Sequence, residues 1–318
     1  MISPALTTKR AALQPRRTNT AWVAQLAAVG LLGACACGGD GSSGAGGRPP
    51  LPPAASLSIA AISEPGGLPA NYHLVWSDEF DLAGLPDANK WGYDTALNAI
   101  GWPNHEQEYY AAARVENSRV ENGELVIEAR HEDLSPSQFP DWGGQHYSSA
   151  RLVTRGLASW TYGFFEARAE LPCGVGAWPA IRMLSALPQF KWPDNGEIDI
   201  MELVGFDPGV IHGTVHTSDY NGARGNQRTA TTFASDVCSN FHRYQLTWTP
   251  TRIMVGMDDH NYFQYSNDGS GNAEWPFGNP QFLILNIAVG GDWGGQHGVD
   301  DTIFPVRMLI DYVRVYQP

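Results

Sequence analysis

Glu197, Asp199 and Glu202 stand within six positions of an otherwise apolar run, GEIDIMELVG (196–205). Closely spaced carboxylates are suited to chemistry at an acetal carbon, because one can stay ionised while its neighbour keeps a proton. Side chains alternate faces along a strand, so Glu197 and Asp199 share one face while Ile198 and Ile200 share the other. Strict alternation would then send Glu202 into the core, where an unpaired carboxylate is heavily penalised. One extra residue at Met201, a β-bulge, returns Glu202 to the acidic face and groups Leu203 with the isoleucines. The out-of-step acid therefore predicts a bulge.

With the bulge counted as one lost step, Glu197 and Glu202 lie roughly 13 Å apart at Cα. Two Glu side chains leaning together leave roughly 5 Å between carboxylates, the separation of a nucleophile and an acid/base in a retaining glycosidase. Asp199, between them, is expected to share a hydrogen bond that orients Glu197. The triplet alone leaves a divalent-cation site open, since three carboxylates also suit hard cations. A merely solvated acidic face is disfavoured, because acids are depleted in strands and like charges on one face repel.

Such a strand needs a sheet around it. β-rich runs recur at short spacing, among them YHLVWSDEF, GELVIEAR, YGFFEARAEL, GVIHGTVHT, HRYQLTWTP and FLILNIAVGG, broken by Gly, Pro and Asn. No long stretch keeps a helical period, and no internal repeat is present. Many short strands with turns between them predict an all-β, two-sheet antiparallel sandwich over residues 69–318.

The preceding residues read differently. Lys9, Arg10, Arg16 and Arg17 precede the apolar AWVAQLAAVGLLGA, of signal-peptide rather than membrane-spanning length, which runs into Cys35. LGAC resembles a bacterial lipoprotein processing box, so residues 1–35 are expected to be an export signal with lipidation at Cys35. Residues 36–68 are a Gly/Ser- then Pro-rich linker. The chain is thus expected outside the cytoplasm, tethered at the cell surface or outer membrane or secreted, with the membrane touched only through the anchor. A net charge of −13, with no basic cluster beyond the leader, argues against nucleic acid as a partner. Cys173 and Cys238 could pair in an exported protein or remain as two buried thiols.

GEIDIMELVG resembles the signature of glycoside hydrolase family sixteen, in its bulge-containing, laminarinase-like branch. VWSDEFD resembles the family's opening strand. YSSARLVTRG, YGFFEARAELPCGVGAWPAI, VIHGTVHTSDYNG, LNIAVGGDWGG and IDYVRVYQ follow in the family's order. The resemblance implies a jelly-roll sandwich with a concave sugar-binding cleft, no catalytic cofactor and a monomer. It assigns Glu197 as nucleophile, Asp199 as its helper, Glu202 as acid/base, and His216 a place beside the acid/base. Sugar rings offer apolar faces rimmed with hydroxyls, so the matched aromatic candidates are Trp102, Trp178, Trp192 and Trp293. The matched hydroxyl partners are Asn104, Glu106, Arg151 and Asn286. Asp311 shares a strand face with Leu309, Val313 and Val315 under strict alternation. The resemblance implies a structural Ca²⁺ on the convex side, held by Asp311, Glu79 and the Gly123 carbonyl.

Two departures stand out. WPAIRML carries Arg182 where laminarinase-like members often have an aromatic, and NHE places His105 where many relatives have Asn. Arg182 is expected to remove a stacking platform and add a charge near the cleft, which raises the prospect of an anionic polysaccharide. The expected activity is retaining endo-hydrolysis of β-1,3-glucan. Hydrolysis of another polysaccharide (a galactan or a mixed-linkage glucan) and transglycosylation are the alternatives. A glucan-binding protein without activity is the non-enzyme reading, and the three acids in register speak against it.

Overall fold

The computed structural model describes residues 66–318. The leader, Cys35 and nearly all of the 36–68 linker lie outside the described residues. The first strands are β1 (His73–Asp78), β2 (Gly92–Tyr93), β3 (Glu108–Tyr110), β4 (Ser118–Glu121), β5 (Glu124–His131) and β6 (Tyr147–Ser149). There follow β7 (Arg151–Val153), β8 (Gly163–Glu170), β9 (Ala177–Ser185), β10 (Glu197–Glu202), β11 (Val210–His216) and β12 (Arg228–Phe233). The last are β13 (His242–Trp248), β14 (Arg252–Met257), β15 (His260–Ser266), β16 (Gln281–Val289) and β17 (Val306–Gln317).

They form two sheets. One has ten strands in the order β15-β14-β13-β8-β17-β5-β6-β3, with β1 also on β17 and β4 also on β5. The other has seven, in the order β12-β11-β10-β9-β16-β7-β2, and every ladder in it is antiparallel. The ten-stranded sheet includes one parallel pair, β3 with β6. This is the sandwich that the short alternating runs predict.

The main core lies between the sheets. Ile198, Ile200, Met201 and Leu203 of the acidic segment meet Ile181, Met183, Leu285 and Ile287 from the same sheet and Phe165, Leu246, Val255 and Val313 from the other. All are essentially inaccessible, so truncating any of the aliphatic ones to Ala should cost about 2–5 kcal/mol. β16 is buried along its whole length. Central strands covered on both faces read as continuous apolar runs, and FLILNIAV does.

Cys173 and Cys238 form a disulfide, Cα–Cα 5.7 Å, which settles the choice that their types left open. Next to it, Gly174 packs against Gly205, just past the acidic strand. A Cβ on Gly205 would meet the Gly174 carbonyl oxygen at 1.8 Å, so the LVG ending admits no side chain.

Candidate active site

The extra residue predicted in β10 is present. Against β9, Asp199 pairs with Arg182 and Met201 with Ile181, so the unmatched residue is Ile200, one place earlier than Met201. Against β11, Asp199 pairs with Thr214 and Glu202 with His212, and the irregularity spans both residues. Ile200 and Met201 both enter the core, and parity flips as the misplaced acid requires. Glu197, Asp199 and Glu202 therefore share the outer face of the seven-stranded sheet with Arg182, Thr214, His212 and His216.

The two glutamates are held asymmetrically. Glu197 Oε2 accepts from Trp192 Nε1 at 2.6 Å, and its Oε1 accepts from Arg182 Nη1 at 3.2 Å. Each Glu197 oxygen thus carries one N–H donor. Glu202 Oε1 accepts from both Trp178 Nε1 (3.1 Å) and Arg182 Nη2 (2.9 Å). With two N–H donors on Oε1, a proton on Glu202 belongs on Oε2. Burial, reinforced by the Asp199 charge and opposed by Arg182 and His216, pushes the Glu202 carboxyl up to about 8. That direction favours the protonated form of Glu202.

Asp199 is fully buried and does not orient Glu197 through a shared hydrogen bond as the spacing suggested. It faces His216 Nε2 at 3.2 Å and Arg182 Nε at 3.8 Å. His216 likewise sits elsewhere than expected: it pairs across the ladder with Glu197 and touches Asp199, whereas His212 is opposite Glu202. Burial lowers the His216 pKa, but the Asp199 carboxylate outweighs it and pushes it up to about 9. Against that, the Gly222 N–H donates to His216 Nδ1 at 3.1 Å. That bond needs an unprotonated Nδ1, so the arrangement seen is the neutral ring with its proton on Nε2, toward Asp199.

Ligand atoms of Glu197, Asp199 and His216 lie within 4.8 Å of one another, close enough for a cation. The Arg182 guanidinium already stands against these acids, and a second positive charge there would be repelled.

The remaining candidates divide. Trp178 and Trp192 are donors to the two glutamates, and Trp178 is buried, so neither serves simply as a stacking platform. Trp293 is half-buried and stands edge-on to both Trp178 and His212, which leaves it the best-placed platform. Trp102 is buried, donates to Asn98 Oδ1 at 3.0 Å, packs on Tyr110 and lies under Arg151. It belongs to the wall that holds Arg151. Asn104 donates to Glu106 Oε1 at 3.3 Å, Arg151 approaches Asp94 at 3.4 Å, and Asn286 donates to the Tyr110 hydroxyl at 3.0 Å. Arg151 and Asn286 pair across β7 and β16, and Asn286 pairs with Ala180, itself opposite Glu202. His105 is exposed and contacts Asp292 at 2.8 Å.

Arg182 does bring a charge to the acidic face, but one already engaged. Its guanidinium is directed onto all three acids rather than left for an anionic substrate. Glu108 was overlooked: it is fully buried, accepts from the Val289 N–H at 2.7 Å, and burial together with the Glu106 charge pushes it well above the usual carboxylate range.

The calcium set does not fit. Glu79 is bonded through both oxygens to Arg314, at 3.0 and 2.7 Å, and Asp311 to Arg168 at 2.7 Å. Arginines thus supply the positive charge that a cation would bring. Asp311 is also not on the core face: β17 carries its own bulge between Ile310 and Tyr312, which turns Asp311 outward while Val313 and Val315 stay in the core.

Comparison with known proteins agrees with this geometry. The pattern of Glycosyl hydrolases family 16 matches residues 105–314. A β-glucanase from Rhodothermus marinus is 52% identical over 255 residues, covering 78% of this chain and 86% of that protein. A mutant of SCLam, a non-specific endo-β-1,3(4)-glucanase crystallised with a glucan fragment at its active site, superposes with a TM-score of 0.79 at 52% identity, covering 81% of this chain and 99% of that one. The laminarinase catalytic domain of Thermotoga maritima gives a TM-score of 0.70 at 41% identity, covering 78% and 98%. On the match over most of the described residues and on the acidic strand at its centre, this chain belongs to glycosyl hydrolase family 16.

Proposed function

We propose that the chain is an endo-β-1,3-glucanase that hydrolyses laminarin-like glucan with retention. The single observation that carries this reading is the asymmetric pair on β10, Glu197 and Glu202, bonded to one guanidinium and each to a different tryptophan. Glu202 gives its Oε2 proton to the glycosidic oxygen as Glu197 attacks the anomeric carbon; Glu202 then takes a proton from water, which releases the sugar. Asp199 and His216 hold the polar floor beneath the pair. Support for the substrate comes from relatives named as β-glucanase, laminarinase and endo-1,3-β-glucosidase. The test is reducing-sugar release from laminarin by the purified 69–318 domain, with NMR of the first-formed anomer. A β-anomer product supports the reading, and an α-anomer product defeats retention.

A mixed-linkage β-1,3-1,4-glucan is the second reading, favoured by the likeness to SCLam, a non-specific endo-β-1,3(4)-glucanase. An anionic substrate loses its motive, since Arg182 is already engaged by acids. We further propose that the enzyme is exported as a monomer and tethered by a lipid on Cys35. The leader, the linker and the Cys173–Cys238 disulfide support this, because disulfides persist outside the reducing cytosol. Palmitate labelling of the full chain, lost in Cys35→Ala, tests the anchor, and gel filtration tests the monomer. The mechanism requires no calcium.

A further inference from the structure

Arg182 lies on β9 directly opposite Asp199, with Ile284 of β16 on its other side. Each of its nitrogens faces a different acid: Nη1 Glu197, Nη2 Glu202 and Nε Asp199. Its side chain is only 12% exposed. The burial of a guanidinium is unfavourable without compensation, and this one is compensated almost wholly by the residues that react.

We propose that Arg182 is a positioning residue that acts as one counter-ion shared by both half-reactions. The inference rests on the double-displacement reading above. In the first half-reaction the Glu202 Oε2 proton passes to the glycosidic oxygen. The bond from that oxygen to the anomeric carbon breaks with its electron pair going to the oxygen, and a Glu197 oxygen forms the new bond to the carbon. Negative charge thereby leaves Glu197, now an ester, and appears on Glu202. In the second half-reaction Glu202 takes a proton from water, the water oxygen bonds to the carbon, and Glu197 departs as a carboxylate. The charge moves between two groups that the same guanidinium already bonds. No side chain has to travel to follow it, which is the condition for effective electrostatic stabilisation.

The fork also sets geometry. Two parallel N–H bonds to different carboxylates fix their separation and confine the Glu202 proton to Oε2, the oxygen free of protein donors among those described. Lysine has the charge without the fork. Other ionisable groups around the guanidinium do not duplicate this role. Glu106 adds a further negative charge that favours the cation. Glu108 lies behind Glu106 and is directed at the Val289 amide. Arg151 approaches Asp94, and His216 stands against Asp199. Tyr262, from β15, is partly buried near Glu202, and desolvation together with the Glu202 charge pushes its hydroxyl far above the usual range.

The test compares wild type with Arg182→Met and Arg182→Lys, after near-UV circular dichroism and thermal melting confirm folding. Two readouts are used: the pH profile of kcat/KM on laminarin, and a ¹³C NMR titration of the Glu202 side-chain carboxyl, which needs no substrate. Arg182→Met should lower kcat by about 10²-fold. Because the guanidinium opposes protonation of Glu202, its loss should move both the alkaline limb and the NMR midpoint to higher pH. Arg182→Lys should leave the limb near its wild-type position yet lose about tenfold in kcat, as charge returns without the fork. An Arg182→Met enzyme slowed equally at every pH, with an unmoved NMR midpoint, would sink the proposal and leave Arg182 a packing residue. If Arg182→Met does not fold, Arg182→Lys decides: wild-type kcat in that variant overturns the bridging role. Wild-type protein inactive on laminarin would defeat the substrate reading instead, while the NMR titration would still report on Arg182.

Discussion

β10 and β17 each carry an acid that strict alternation would bury, and each escapes by one extra residue. In β10 the irregularity at Ile200–Met201 returns Glu202 to the outer face, and in β17 the one at Asp311 turns that residue outward. The outcomes differ because the surroundings differ. Asp311 has a partner of its own, Arg168, and its side chain is 37% exposed. Nearby on the ten-stranded sheet, the buried Glu128 is met by three arginines, Arg119, Arg130 and Arg307. On β10 three buried acids are met by one arginine. Where arginines match the acids in number, as Arg119, Arg130 and Arg307 match Glu121, Glu128 and Glu132, the ion pairs serve the fold. Where anions outnumber cations in a buried place, one must keep its proton, and that proton becomes available for chemistry.

The sharpest way to break this comparison is Glu197→Gln. It is expected to cost on the order of 10⁵-fold in kcat on laminarin with little change in melting temperature, since the amide keeps the shape and removes the nucleophile. Substantial residual turnover would remove β10 from the chemistry. Glu128→Gln should do the opposite, leaving kcat at 25 °C intact and destabilising the fold by about 2 kcal/mol in urea denaturation. That figure is discounted because two of its arginine partners are 35% and 50% exposed.

A third test concerns sign. The Glu202 carboxyl is pushed up to about 8 in the folded chain, well above its unfolded value. The folded state therefore binds the extra proton more tightly between about pH 4.5 and 8, and stability contributed by that proton is lost as pH rises through the window. Glu202→Gln, which cannot ionise, should melt a few degrees above wild type at pH 8 and level with it at pH 4. The same ionisation predicts an alkaline limb in wild-type kcat/KM near pH 8, retained in Glu128→Gln, which keeps Glu202. The smallest effect is expected for Asp311→Ala, at most about 0.5 kcal/mol and no change in activity, as for other half-exposed ion pairs. A large loss there, reversed by added Ca²⁺, would restore the calcium site that Arg168 and Arg314 argue against.

The sequence by itself determined the sandwich, the acidic face and the need for a bulge in β10. Those follow from period-two alternation and from the penalty on a buried charge, both local in the chain. The same reasoning applied to Asp311 would have found the second bulge; instead strict alternation placed that acid in the core. Which donors meet which oxygens was not legible, because it depends on pairings between residues far apart in sequence. Trp178 and Trp192 read as sugar platforms and proved to be donors to Glu202 and Glu197. His216 read as the neighbour of the acid/base, and the β10–β11 register placed it with Asp199. Arg182 read as a cleft charge, since an arginine among apolar residues does not disclose what it faces. Only the β9–β10 register set it opposite Asp199, within reach of both catalytic glutamates. Strand pairing, which the tertiary fold alone decides, gathers a row of acids around one guanidinium.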